Sequence, residues 1–495
     1  MKVLVTGGTG VIGRATIVEL LRRGHAVRLL SRGAEEDVGA WDGPVEAHPG
    51  DVGDASSITG AADGCDAVIH IVGIVEEAPP EATFQRINVD GTQHIVAEAA
   101  RAGVRRLIHV SSLGAQRGRS DYHRSKMAAE AIVTSFAGEW CIVRTGAVAG
   151  RGDETVSVLL RMMRTLPAVP IVGSGDQSFQ PVWHEDVAWA LAECVERGDD
   201  VVRRVLNVTG ADVLTVTQLL DLFAEVIDRD PPRVPVPELL AKAGSFVAEA
   251  LRVEAPVSSG TLQMLLEGNF LRDGEANDLT GLLGMKPEPI RNRLVQLVDQ
   301  PPEQTPEQGV GKLQRRRFHA DIHGARDDAG GLSAMLQQRF QELVPFDGAA
   351  EPGAPTTIRE GATLTLELPA RGHVQVRAEH VDETSFTLAT LDGHPLAGVV
   401  RFHFDDRDDG VVRFTIDVVE RAASRLDQLA MTILGSAAQK RTWMVTVENV
   451  VEQSGGTAPD GVVEQSWALD DQEAEPLERW VKDLVRQRQR RAGTA

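Results

Sequence analysis

The sequence predicts two domains of different class: an α/β domain built on a doubly wound parallel sheet, then a smaller α+β domain with an antiparallel sheet and a long helix. Three observations carry this. A Val-rich run from Lys2 to Thr6 passes directly into Gly7, Gly10 and Gly13 and then into an amphipathic segment, as a buried parallel strand does when it turns into a helix. Short apolar runs then alternate with helix-length segments, the pattern of a sheet covered on both faces. From Thr363 onward the apolar period changes to two, with Asp-Gly turns between strand-length runs.

Taken in order, the first helix draws its apolar face from Ile17, Val18, Leu20 and Leu21, and Arg23-Gly24-His25 ends it before a second strand, Ala26 to Leu30. Strand, glycine turn, helix and strand in about thirty residues make a Rossmann-type start. Glycines let the backbone come close to a pyrophosphate, and free N–H groups at the helix N-terminus face its oxygens, which assigns Gly7, Thr9, Gly10, Val11, Ile12 and Gly13 to a dinucleotide. The same glycines also suit a turn that only packs strand on helix. At the end of the second strand stand Ser31 and Arg32, and Arg14 at the start of the first helix offers a second cation. A hydroxyl and guanidinium groups fit a 2′-phosphate, so NADP(H) is preferred over NAD(H); the alternative is a solvated surface arginine.

A third strand, Val45 to His48, leads to Asp51 and Val52. Asp51 suits either an acceptor for the adenine amino group or the cap of a helix over Ser56 to Ala62. A fourth strand, Ala67 to Val72, ends in Gly73, where backbone can lie against a ribose. A long helix, Phe84 to Ala102, carries Asn88, and a fifth strand, Leu107 to Val110, ends in Ser111-Ser112. Tyr122 and Lys126, four residues apart at the start of the next helix, share a face. An ammonium near a phenol favours the phenolate, as a tyrosine that exchanges a proton near neutral pH requires. Tyr122 is the one tyrosine of the chain. A serine at the neighbouring strand end is placed to bond the substrate oxygen.

The ordered runs TGGTGVIG, GDVGD, INVDGT, HVSSLGA, YHRSK and FQPVWHEDVAWA resemble the extended and atypical short-chain dehydrogenase/reductases. They are most similar to the branch that includes the NADPH-binding accessory subunit of respiratory complex I. The resemblance spans roughly residues 1–300. It implies that Gly7, Gly10 and Gly13 hold the pyrophosphate, Arg32 the 2′-phosphate and Asp51 the adenine. It implies further that Tyr122 is the proton donor or acceptor, Lys126 its pKa partner and a ribose ligand, and Ser112 the polariser of the carbonyl. Asn88 matches an asparagine that organises the proton relay, or else holds a bend in its helix. Two departures stand out: the serine pair lies close before the tyrosine, so that Ser112 rather than Ser111 is a choice, and Thr145 follows Arg144 where the family commonly has proline.

Later segments read as a helix from Ser157, a loop to FQPVWHEDVAWA with Asp186 capping a helix over Val187 to Arg197, a strand at Val205 to Val208 and a helix over Thr215 to Val226. Pro235 to Leu251 reads as packing, or as an apolar lid or partner surface. The polar Pro-containing stretch after Asp299 reads as a linker, dividing the chain into 1–298, 299–312 and 313–495. Leu313 to Phe318, with three arginines, reads as a solvated or interdomain face. In the second domain, strands at 364–368, 374–378, 385–390, 399–404 and 411–419 precede a helix from Leu426 to Val451, with Leu426, Leu429, Ile433, Leu434, Trp443, Met444 and Val447 facing the sheet. LATLDGHPLAGVVRFHF resembles an uncharacterised bacterial family of helix-grip domains, which implies either an apolar ligand cavity or a filled core. The tail from Glu473 to Arg491 reads as a charged helix with Trp480, Val481 and Leu484 for docking.

A net charge of −21 argues against nucleic acid and anionic membranes as partners. Cys65, Cys141 and Cys194 lack metal-ligand spacing and read as buried residues, and no metal is expected. The absence of a leader-like start and of a long apolar run predicts a cytoplasmic protein without a transmembrane segment. The expected activity is hydride transfer between a nicotinamide and a carbonyl or alcohol of a small substrate, with an apolar one in view. The alternative is a noncatalytic NADP(H)-binding subunit, scaffold or assembly factor whose C-terminal domain recruits a protein partner. Sugar-nucleotide epimerisation or dehydration fits less well, because no extra acid pair follows Ser112.

Overall fold

The computed structural model describes residues 1–153, 155–238, 266–299, 301–345, 347–348, 357–368, 372–430 and 436–491. Seven parallel strands form the first sheet: β1 (Lys2–Thr6), β2 (Ala26–Ser31), β3 (Val45–Pro49), β4 (Ala67–His70), β5 (Arg106–Ser112), β6 (Glu139–Thr145) and β7 (Arg204–Val208), in the order β7-β6-β5-β4-β1-β2-β3. Side chains alternate across the strand, so Val3 and Val5 of β1 enter one core while Leu4 enters the other. Five helices accompany it: α1 (Val11–Arg22), α2 (Gly91–Arg101), α3 (Asp121–Thr134), α4 (Val156–Thr165) and α5 (His184–Glu196), followed by α6 (Val216–Ile227). Strand order reverses between β1 and β4, which opens a crevice at their C-terminal ends, where Gly7 and Gly73 lie.

Two local expectations fail for identifiable reasons. No helix forms over Ser56 to Ala62; the segment is a run of turns closed by bonds such as Ser57 N–H to Asp54 O and Ala61 N–H to Ile58 O, and Gly60 and Gly64 sit at positive φ. Asp186 is not a cap: Trp183 precedes α5, and Asp186 lies buried in its first turn with its carboxyl pushed up to about 6 by burial. The part of the expected lid from 239 to 251 lies outside the described residues.

After α7 (Arg291–Asp299), the stretch with linker composition is pinned in place. Glu303 is buried and forms ion pairs with Arg151, Arg377 and Arg488. The arginine run beyond it is part of β8 (Val310–His323), a long strand whose Arg315 and Arg317 both meet Asp417 at 2.8 Å. The second sheet is antiparallel. It adds β9 (Thr363–Leu368), β10 (Gly372–Val381), β11 (Ser385–Thr390), β12 (Leu396–Asp406), β13 (Val411–Ala422) and β14 (Val463–Leu469), in the order β9-β10-β11-β12-β13-β8-β14, with Asp347–Gly348 paired outside β9.

Helices α8 (Ala329–Gln338) and α9 (Ser436–Ser454) pack on this sheet through Leu332, Leu336, Trp443 and Val447. Phe340, Phe386, Phe402, Phe404 and Phe414 fill the space beneath them; the Phe386 and Phe402 rings stack at 4.7 Å. Leu426 and Leu429, expected to face the sheet, are exposed on a separate short helix, and 431–435 lie outside the described residues. The last helix, α10 (Asp471–Arg491), buries Ala474 and Val481 against Leu313, Ala389, Val399 and Val419.

Candidate active site

The cleft at the switch point has a volume of about 470 Å³ and is lined by the glycine turn, Gly73, Ser111, Ser112, Tyr122, Lys126 and Thr145, together with Asn269 from a distant loop. Gly7 has φ +70°, and a side chain there would press on Val72 N at 2.9 Å. A side chain on Gly13 would collide with the backbone of Gly7 and Gly8. Gly10 differs. A Cβ there would meet protein only at ordinary contact distance, 3.5 Å from Gly7 O, and Gly10 precedes α1 without any side-chain cap. The first N–H groups of α1 are therefore left for an external acceptor, which is what a pyrophosphate requires.

Ser111 and Ser112 have separate tasks. Ser111 Oγ donates to Glu130 Oε1 at 2.6 Å, within a buried pair in which Arg144 Nε lies 2.8 Å from the same oxygen. Ser112 Oγ lies 3.4 Å from Asn269 Nδ2 and accepts from Gly114 N–H at 3.3 Å. Tyr122 opens α3 half-buried, its ring tilted against those of Phe84 and His123 at 6.2 and 5.2 Å. Ser120 caps that helix through His123 N–H, and His123 Nδ1 meets Glu267 Oε2 at 2.5 Å, which fixes the first turn that carries the phenol.

Lys126, one helical turn beyond Tyr122, is buried and donates from Nζ to Val110 O at 2.7 Å. Burial pushes its ammonium down to about 8, with Glu130 acting in the opposite direction. A side chain on Gly73 would stand 3.2 Å from Lys126 Nζ and 3.4 Å from Asn88 Oδ1, so these three residues meet at one point. Asn88 lies in a single wide π-turn, Gln85–Asp90, which leads into α2. It holds both backbone groups of Ile74, at 2.8 and 3.0 Å, and donates to Ser125 Oγ at 2.9 Å.

At the adenosine end, Val52 is buried and Asp51 accepts from Gly53 N–H at 2.8 Å while pairing with Arg86 at 2.7 Å. Ser31 Oγ donates to Asp37 Oδ2 at 2.9 Å, and Arg32 is exposed. Two residues escaped the sequence reading. Asn269 brings to the cleft a buried amide oxygen with no partner among the described residues, and Glu267 holds His123. Both come from a segment far along the chain whose local sequence, EGNF, carries no spacing signal. No group of three or more metal-ligating side chains is found among the described residues, and no described helix is long and apolar enough to cross a membrane.

A parallel sheet with an uncapped helix at its switch point defines a dinucleotide-binding Rossmann-type protein. The chain belongs to the NAD dependent epimerase/dehydratase family, whose model matches residues 3–209; a domain of unknown function, DUF1990, matches 334–447. It is 32% identical over 255 residues to the ceramide reductase of Caulobacter vibrioides, covering 50% of this chain and 77% of that protein. It is 29% identical over 274 residues to sterol demethylase protein B of Methylococcus capsulatus, covering 51% and 82%. Subunit 9 of the mitochondrial NADH dehydrogenase [ubiquinone] 1 alpha subcomplex of Arabidopsis thaliana is 28% identical over 250 residues, covering 48% and 61%.

Proposed function

We propose that this chain is an NADP(H)-dependent oxidoreductase acting on a carbonyl or alcohol carbon of an apolar substrate. The observation that carries the reading is the convergence of Ser112, Tyr122 and Lys126 in one cleft with the uncapped start of α1. Gly7, Thr9, Gly10, Val11, Ile12 and Gly13 bind the pyrophosphate, Asp51 and Val52 the adenine, and Gly73 and Lys126 the nicotinamide ribose. Ser31 and Arg32 take the 2′-phosphate. A bound dihydronicotinamide supplies a hydride, with its electron pair, to the carbonyl carbon. Ser112 donates a hydrogen bond to the carbonyl oxygen, and Tyr122 gives that oxygen its phenolic proton as the C–O bond becomes single. Lys126 stabilises the resulting phenolate, which takes a proton back through the Asn88 side of the cleft; oxidation runs the same steps in reverse. Val75, Ala147, Val148 and Phe179 give the cleft an apolar wall. Two relatives named for lipid chemistry, a ceramide reductase and a sterol demethylase protein, support an apolar substrate.

The test is anaerobic mixing with NADPH and a panel of apolar ketones, aldehydes and quinones, following loss of dihydronicotinamide absorbance. Turnover that vanishes in Tyr122→Phe with nucleotide binding intact is expected. Tight NADPH binding without turnover on any member of the panel favours the second reading, a noncatalytic nucleotide-binding subunit whose C-terminal domain meets a partner. Similarity to the mitochondrial NADH dehydrogenase subunit supports that alternative.

A further inference from the structure

The last described helix, α10, lies against the short helical segment 34–40 after β2. Lys482 Nζ is 3.3 Å from Glu36 Oε2. Arg486 Nη2 is 3.4 Å from the same oxygen and 3.9 Å from Asp37 Oδ1, on the carboxylate that receives the Ser31 hydroxyl. One turn further on, Arg490 sits so close to Gly39 that a side chain there would run into the guanidinium. Arg14, just past the glycine turn, lies within electrostatic reach of both Asp37 and Arg486. Cations from two distant segments, α1 and α10, thus converge on the residues that follow Arg32 at the end of β2, in a chain of net charge −21.

The geometry also holds α10 in register. Arg488 donates to Glu303 and to Glu379, each at 2.7 Å and each buried, while Val481 and Val485 are buried. Arg486, two residues before that anchor, is held over segment 34–40 by contacts that are themselves long, to the exposed Glu36 carboxylate and the half-buried Asp37 carboxylate. Such a surface pair contributes little. A phosphate monoester, with up to two negative charges and three acceptor oxygens, is a stronger partner for a guanidinium than Glu36. Glu36 and Asp37 stand beside Arg486 and repel a phosphate, so a cation that covers them is required if one is to bind.

We propose that α10 is part of the cofactor site: Arg486 closes over the 2′-phosphate of NADP(H) beside Arg32 and Arg14, so that a residue of the C-terminal domain sets the choice between NADP(H) and NAD(H). This rests on the NADP(H) reading above. The test uses the full chain and three probes, NADPH, NADH and 2′,5′-ADP, titrated calorimetrically. Arg486→Gln weakens NADPH and 2′,5′-ADP by about tenfold and leaves NADH unchanged, as loss of one charge-assisted contact predicts. Glu36→Gln, which removes the competing carboxylate, leaves NADPH binding equal or tighter.

The outcomes separate cleanly. Wild-type protein that binds NADH as tightly as NADPH overturns the NADP(H) reading and this proposal with it. A wild-type preference for NADPH that survives Arg486→Gln overturns this proposal alone. If Glu36→Gln and Arg486→Gln both weaken all three probes, the helix acts only by docking, and the proposal also falls.

Discussion

The cleft of the parallel sheet and the charge seam beside the antiparallel sheet use buried polar groups differently. At the switch point of the parallel sheet, α1 begins without a side-chain cap, the Asn269 amide oxygen has no partner among the described residues, and Lys126 is buried at the cost of a depressed pKa. Beside the antiparallel sheet, Glu303 is buried with three arginines around it, and aromatic rings fill the space under the helices. Polar groups left unsatisfied in a folded chain are expensive. Those that line the switch-point cleft mark where a ligand completes the structure, whereas the Glu303 ion pairs and the packed rings of the second region hold the fold and position α10.

The sharpest way to break this contrast is Tyr122→Phe. If the cleft is for chemistry, turnover falls by about a thousandfold, in the range of lost general acid–base catalysis, while the thermal unfolding midpoint and NADPH affinity stay as in the wild type. The converse variant is Phe402→Ala. Its ring stacks on Phe386 and meets Phe340 and Trp443 edge-on at 5.7 and 5.9 Å. Removing it leaves a cavity and lowers stability by about 3 kcal/mol in urea titrations, with nucleotide affinity below the transition unchanged. Were Phe402→Ala to abolish a ligand-dependent activity without loss of stability, the division between cleft and packed core would fail.

Gly10→Ala probes the contrast inside the cleft. Its Cβ has room within the protein, so stability is unchanged, but the methyl occupies the space a pyrophosphate must approach and NADPH affinity falls by about tenfold in a calorimetric titration. Gly13→Ala, whose Cβ collides with Gly7 and Gly8, destabilises the fold itself.

What the sequence revealed follows the same line. The glycine turn and the Tyr122–Lys126 pair are local patterns, fixed by one strand–helix junction and one helical turn, and they were readable without the fold. Strand alternation also located most of the antiparallel sheet. Residues whose roles depend on distant partners were not readable. Glu303 has linker surroundings, and only Arg151, Arg377 and Arg488 make it a buried anchor. The arginine run of β8 resembles a solvated face until Asp417 of the neighbouring strand is placed opposite it. Asn269 reaches Ser112 from a loop 157 positions away in sequence.

The smallest expected effect tests whether the charge seam is as well matched as its ion pairs imply. Glu379 is fully buried and one of its oxygens lacks a hydrogen-bond partner. Burial first, then the neighbouring Glu303 charge, push its carboxyl up to about 7, whereas Glu303 itself, surrounded by arginines, is held down at about 2. The signs are opposite. A raised carboxyl keeps its proton in the folded state after the unfolded chain has lost it, so Glu379 lowers stability as pH rises from about 4.5 to about 7. Glu303 stabilises above about 4.5 and loses that contribution only as pH falls toward 2. Glu379→Gln keeps an acceptor for Arg488 and removes the titration. The variant should therefore match the wild type near pH 5 and exceed it by about 1 kcal/mol at pH 8 in urea unfolding. A variant less stable than the wild type at pH 8 would show that the Glu379 charge is needed by Arg488, and that the seam is balanced by two carboxylates instead of one.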